Sequence, residues 1–298
     1  MIVMIRANKV KIGKNVEINQ KADILCDTFE VGDGTVIKNV KIQCRTCKIG
    51  RDCFIWDGVW IQGSFNAGNT TCIIGDECLI CENTRVNCND PVTIGNDVNI
   101  GQNVSIWTHA SSMDVTMGYP WTKAPVTIGN HVWITAGVQI LPGLTIGHDV
   151  IIGNGAIVNT DIPSNSFAAG VPAKVKTTIK PKPMTDKDLV SLMETIVSDY
   201  LQKKHDFEKN FTIEHDAKRK TITIHDVMDD ITVFDYKNKT IEGRINFYSN
   251  DFRDYLRYRG IKISGGVPFK SIKPKWARQA LRRTKYKEGD ALPDPVIK

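Results

Sequence analysis

Isoleucine or valine returns at every sixth position through much of this chain, and that period narrows the fold more than any other feature. The clearest block starts at Ile128. It reads Ile-Gly-Asn-His-Val-Trp, Ile-Thr-Ala-Gly-Val-Gln, Ile-Leu-Pro-Gly-Leu-Thr, Ile-Gly-His-Asp-Val-Ile, Ile-Gly-Asn-Gly-Ala-Ile, then Val158. The same frame appears at Ile94, Ile100 and Ile106, at Ile74 and Ile80, at Ile49 and Ile55, and faintly at Val31 and Ile12. A helix would space its apolar residues three or four apart, and a free strand would alternate with period two. Short flat strands with a turn every six residues give six.

Three such units close a triangular coil. The aliphatic first residue points to the axis, and the small fifth residue fits near a corner. Gly and Asn at turn positions supply backbone angles that other residues resist. A single coil cannot bury its apolar face, so coils must stack into a prism with one continuous core. β-Branched residues suit such ladders. The expected class is therefore mainly β, a parallel β-helix of triangular section. Residues 109–125 leave the frame and must loop out, and long excursions from a rigid scaffold often carry function.

The chain is 41% hydrophobic and 24% charged, an ordinary globular composition, with a net charge of +6. No run is long and apolar enough to span a membrane. The apolar start, Met1 to Ile5, is too short for a signal peptide, so a cytoplasmic location is the default expectation. Residues 270–287 hold eight Lys or Arg and no acid. That run reads either as a solvated face or as a patch for peripheral contact with a membrane or glycan. No nucleic-acid partner is expected. All eight cysteines lie between Cys26 and Cys88. The pairs Cys44/Cys47 and Cys78/Cys81 have zinc-like spacing, but Cys53 and Cys78 fall on the small buried repeat position, which free Cys fills well. No metal and no disulfide is expected.

Past the repeat itself, the text becomes more specific. Thr108-His109 and its loop are followed by Pro125-Val126-Thr127-Ile128-Gly129-Asn130-His131-Val132-Trp133-Ile134. Then come Ile140-Leu141-Pro142-Gly143, Asp161-Ile162-Pro163 and Ala169-Gly170-Val171-Pro172-Ala173-Lys174-Val175. In these residues the chain resembles the hexapeptide-repeat acetyltransferases, among them galactoside, maltose and exopolysaccharide O-acetyltransferases. The resemblance implies a left-handed coil, although parallel crossovers are normally right-handed. It also implies a homotrimer, with acetyl-CoA held in grooves between neighbouring prisms and a sugar or glycan as acceptor.

The resemblance assigns His109 as the catalytic base. Transfer to a hydroxyl needs a group to take its proton as it attacks the thioester, and neutral imidazole is suited to that. The resemblance further maps Trp133, Ala136, Asn154, Asn159, Thr160 and Lys174 to the coenzyme. On that likeness Ala136 would lie beside the thioester, where a backbone N–H in 133–137 would meet the oxyanion. Lys174 would face a coenzyme phosphate. The family often carries a second basic residue three positions later; here that residue is Thr177, with Lys176 beside it. For the acceptor the candidates are Asn87 and Asp90, one coil before the histidine, and Tyr119 and Trp121 in the loop. Asn87 and Asp90 read equally as a polar turn before Pro91, and the two aromatics equally as loop anchors on a neighbouring subunit. His131 and His148 fall on turn positions, where polar residues face water.

The repeat domain is expected over 1–180, with a small α+β extension over 181–298. Thr185 or Asp186 opens a helix, short strands follow at 211–215, 221–225, 231–234 and 240–245, and further helices at 249–259 and 274–284. The leading function is acetyl-CoA-dependent O-acetylation of a sugar. N-acetylation of an amino sugar and a non-catalytic β-helix scaffold stand as alternatives.

Overall fold

A computed structural model describes residues 4–110, 113–203 and 210–263. The chain divides into two compact units, Met1–Pro183 and Met184–Lys298. The basic run at 270–287 and the helix expected at 274–284 lie outside the described residues.

The first unit is a left-handed parallel β-helix. Its coils stack so that each strand pairs with the strand one coil away, and three aliphatic ladders result. One runs Ile37, Ile55, Ile80, Ile100, Ile134, Ile152. The second runs Ile42, Ile61, Val86, Ile106, Ile140, Val158. The third runs Val31, Ile49, Ile74, Ile94, Ile128, Ile146. All of these side chains are buried, and burying each one is worth about 1.5–3 kcal/mol. The nine-residue strands Met4–Ile12, Asp23–Val31 and Lys41–Ile49 bend round a corner, so one hydrogen-bonded sheet covers two faces of the prism. The final strand, Lys174–Thr178, turns back antiparallel on Ser166–Ala169.

Two local devices hold the corners. At one corner the backbone of the next coil passes so close that only glycine fits. A Cβ on Gly129 would lie 2.7 Å from the carbonyl carbon and oxygen of Gly147. At the same corner a polar side chain accepts the backbone N–H of the turn one coil below. Asp33 accepts from Lys14, Asp76 from Arg51, Asn96 from Asp76 and Asn130 from Asn96, at 2.7–2.8 Å. His148 continues the column, its Nδ1 taking the Asn130 N–H at 2.9 Å. His131 is different: it holds the left-handed turn position, with φ of 55°, and its ring is exposed.

The fifth-position cysteines are buried as expected. Cys53 and Cys78 point their thiols at the carbonyls of Gly75 and Gly95, each 3.1 Å away. Burial pushes the Cys72 thiol well up, which keeps it protonated and inert.

The second unit packs two helices on a four-stranded antiparallel sheet. Helix α1, Asp186–Lys203, starts where Thr185 Oγ1 accepts the Asp188 N–H. The strands are Phe211–Asp216, Thr221–Asp226, Ile231–Asp235 and Thr240–Gly243, each paired with the next. Helix α2, Phe247–Tyr258, begins two residues before the expected start, because Asn246 and Ser249 form a reciprocal cap. Met193, Tyr200, Ile222, Ile224, Phe234 and Phe252 fill the core. Among the described residues no helix is long and apolar enough to cross a membrane.

Candidate functional site

One corner of the prism carries the two longest breaks in the repeat. The first lies between the strands Trp60–Gln62 and Thr71–Ile74, the second between Ser105–Ile106 and Val126–Ile128. The second break leaves as an antiparallel pair, His109–Ala110 against Thr122–Lys123, with His109 opposite Lys123. The ring of His109 is therefore fixed at the base of a hairpin, half-buried, rather than on a free loop.

The coil below meets that ring. Asn87 is 4% exposed, and its Oδ1 lies 2.9 Å from His109 Nδ1. The same Oδ1 is 2.9 Å from the hydroxyl of the fully buried Thr108. That hydroxyl in turn accepts the Asp90 N–H at 3.0 Å. Asn89 Nδ2 approaches His109 Nδ1 at 3.3 Å. Among the described residues, His109 Nε2 makes no hydrogen bond.

The first break walls the site. Ser64 donates its N–H to Asn89 Oδ1 at 2.7 Å and caps the short turn Phe65–Ala67. Lys123 Nζ reaches across to the Ala67 carbonyl at 2.7 Å and lies 3.9 Å from Asp90 Oδ1, both side chains about one-quarter exposed. Sequence reasoning passed over Ser64 and Lys123 and gave Thr108 no role of its own. The break of frame after Gln62 was the available signal; the tie from Lys123 to Ala67, 56 residues apart, had none.

The expected residues fall into separate groups within one chain. His109, Asn87 and Asp90 gather at this corner, and Asn159 and Thr160 lie exposed at the same corner two coils further on. Ala136 and Asn154 are exposed at a different corner, where Gly155 N–H bonds the Ala136 carbonyl at 2.9 Å. Trp133 stands 53% exposed on the face leading to it, between Asn99 and Ile151. Lys174, Lys176 and Thr177 are exposed on the terminal strand. Tyr119 and Trp121 are exposed on the hairpin loop, as are Met113, Val115 and Met117. Asp114 is occupied there, accepting from the Thr116 hydroxyl and N–H, which hold its carboxyl below its ordinary range.

A model of the bacterial transferase hexapeptide (six repeats) matches residues 125–160. The galactoside O-acetyltransferase of Escherichia coli (strain K12) is 46% identical over 86 residues, 28% of this chain and 42% of that protein. WbbJ of the same strain, provisionally named a lipopolysaccharide biosynthesis O-acetyl transferase, is 30% identical over 162 residues, 45% of this chain and 81% of that protein. Among solved structures, a galactoside acetyltransferase in complex with coenzyme A is 34% identical with a TM-score of 0.40, covering 45% of this chain and 65% of that one. The chain spans about half the length of the first curated relatives it matches, from 41% to 61%.

Proposed function

The chain belongs to the hexapeptide-repeat acetyltransferase family, and on that premise we propose that it transfers an acetyl group from acetyl-CoA to a sugar hydroxyl. The observation that carries the reading is the seating of His109. Its Nδ1 is engaged inside the corner, which frees Nε2 to act on an acceptor.

In this mechanism Nε2 takes the proton of the attacking hydroxyl as the new C–O bond forms, an assistance typically worth 10²–10⁴-fold. The carbonyl oxygen of the thioester gains charge and is met by a backbone N–H in 133–137, with Ala136 small enough to let the donor approach. Collapse breaks the C–S bond, and the proton on the imidazolium passes to the departing thiolate. Lys174, with Lys176 beside it, meets a coenzyme phosphate, while Trp133, Asn154, Asn159 and Thr160 line the coenzyme's path. Asp90 and the aromatics Tyr119 and Trp121 face the acceptor.

The base and Ala136 occupy different corners of one prism. We therefore take the working site to form between two chains of a homotrimer, the corner of one facing the corner of the next. The acceptor class draws on the galactoside and lipopolysaccharide relatives. We take the enzyme to act in the cytoplasm, where acetyl-CoA is made.

The test is acetyl-CoA-dependent thiol release across sugars, amino sugars and nucleotide sugars, with wild type and H109A. The expected outcome is turnover on a sugar hydroxyl that falls 10²–10⁴-fold in the variant. Undiminished O-acetylation by H109A removes the base. Turnover confined to amines shifts the activity to N-acetylation, and no coenzyme binding by calorimetry leaves only a scaffold.

A further inference from the structure

We infer that Asn87 sets the tautomer of His109, a positioning role for a side chain whose place in the sequence suggested acceptor contact. The inference rests on the reading of His109 as the base. Asn87 is too buried to offer its amide to a ligand, and its Oδ1 is already shared between the ring and the Thr108 hydroxyl.

Two amides compete for one ring nitrogen, and they ask opposite things of it. Asn87 Oδ1, at 2.9 Å, needs a proton on Nδ1. Asn89 Nδ2, at 3.3 Å, needs a lone pair there. Neither amide is free to flip. Asn87 Oδ1 also receives the Asn89 backbone N–H at 3.4 Å, so a reversed amide would set donor against donor. Asn89 Oδ1 is held by the Ser64 N–H at 2.7 Å. The contest is decided by distance and burial. The Asn87 contact is shorter, and a bare Nδ1 there would set two lone pairs 2.9 Å apart in a buried corner, whereas a protonated Nδ1 leaves unpaired only a half-exposed Asn89 N–H 3.3 Å away. Nδ1 therefore carries the proton and Nε2 the lone pair, the form a general base requires.

A neutral amide at this place has a second consequence. A carboxylate would hold the same tautomer but would also favour the protonated ring. The charged groups on the elements packed against the ring are Asp90, on the turn below, and Lys123, opposite on the hairpin. They lie 3.9 Å from each other and offset one another. Asn87 thus orients the ring with a neutral oxygen.

The experiment is nitrogen NMR of the full chain with ¹⁵N-labelled imidazoles, His109 assigned by its loss in H109A. In wild type the neutral ring is expected to show a protonated Nδ1 and a bare Nε2. In N87L that pattern is expected to shift toward the other tautomer, with kcat down about 10²-fold and the acceptor KM within threefold. In N87D, which keeps the acceptor oxygen, the ring is expected to titrate about one unit higher than in wild type. N87D decides the matter if N87L fails to fold. A wild-type tautomer retained in N87L, an unmoved titration in N87D, or a raised acceptor KM with kcat intact would each overturn the assignment. The tautomer readout needs no turnover. A shifted tautomer alongside full activity of H109A would therefore reject the base while leaving the Asn87 contact standing.

Discussion

His148 shows how a side chain at a turn acquires a structural duty. Its Nδ1 takes the Asn130 N–H at 2.9 Å, and its own N–H is received by Ser164 Oγ at 2.9 Å. The position looks like a solvated turn because its partner is 18 residues away. An imidazole accepts there only with Nδ1 unprotonated, whereas an amide oxygen accepts in any state. His148→Asn should keep the wild-type urea midpoint, and His148→Ala should lose about 1 kcal/mol of stability. In the same column, burial alone would raise the Asp76 carboxyl, but the Arg51 guanidinium and backbone N–H outweigh it and hold it below the usual carboxylate range. A carboxyl lowered by folding adds stability above its unfolded pKa of about 3.9 and loses it as pH falls through the lower folded value. The pair is half-exposed, so the amount is at most about 1 kcal/mol. Thermal melts of Asp76→Asn against wild type should show a gap near neutrality that narrows as pH falls below about 4. A gap unchanged by that fall would mean that charge plays no part.

The coil is the element that sets tolerance to change. On the strand Val126–Ile128, Val126 and Ile128 are buried while Thr127 faces out. Gly129, next along, faces the Gly147 backbone at 2.7 Å from any added Cβ. The neighbour is main chain of a stacked coil and has no rotamer into which to retreat. Gly129→Ala should therefore cost on the order of 1–3 kcal/mol or more, while Thr127→Ala should stay within about 0.5 kcal/mol. Chemical denaturation of the two variants side by side checks this, and equal stabilities would mean that the coil spacing yields. The hairpin at His109 obeys a looser rule. Its holding contacts, the two-residue strand pair, the Ala124 N–H on the Thr108 carbonyl, the His109 ring on Asn87 and the Lys123 bond to Ala67, all lie at its base, so its far end varies at little cost to the prism.

At the scale of the whole molecule, the prism presents His109 and the Ala136 turn on different corners, so one copy alone does not bring the proposed base and oxyanion donor together. The mass in solution is expected to be three times that of the chain by light scattering; a monomer that turns over acetyl-CoA would rule out the shared cleft. The exposed Met113, Val115, Met117, Tyr119 and Trp121 supply apolar surface for such a contact. The coil, its core and its turns were legible in the sequence, because a six-residue strand-and-turn unit dictates which residues face inward wherever it occurs. His109 was legible too, as the residue at which that unit breaks. The contacts of His109 were not, although Asn87 was marked from the sequence for the acceptor. Asn87 and Lys123 act through contacts 22 residues upstream and across a hairpin, and stacking coils creates such neighbours without leaving a local mark. Sequence dictated the period and hence the scaffold; only the registration of one coil on the next decided which polar side chain reaches the imidazole, because that distance exists nowhere along the chain.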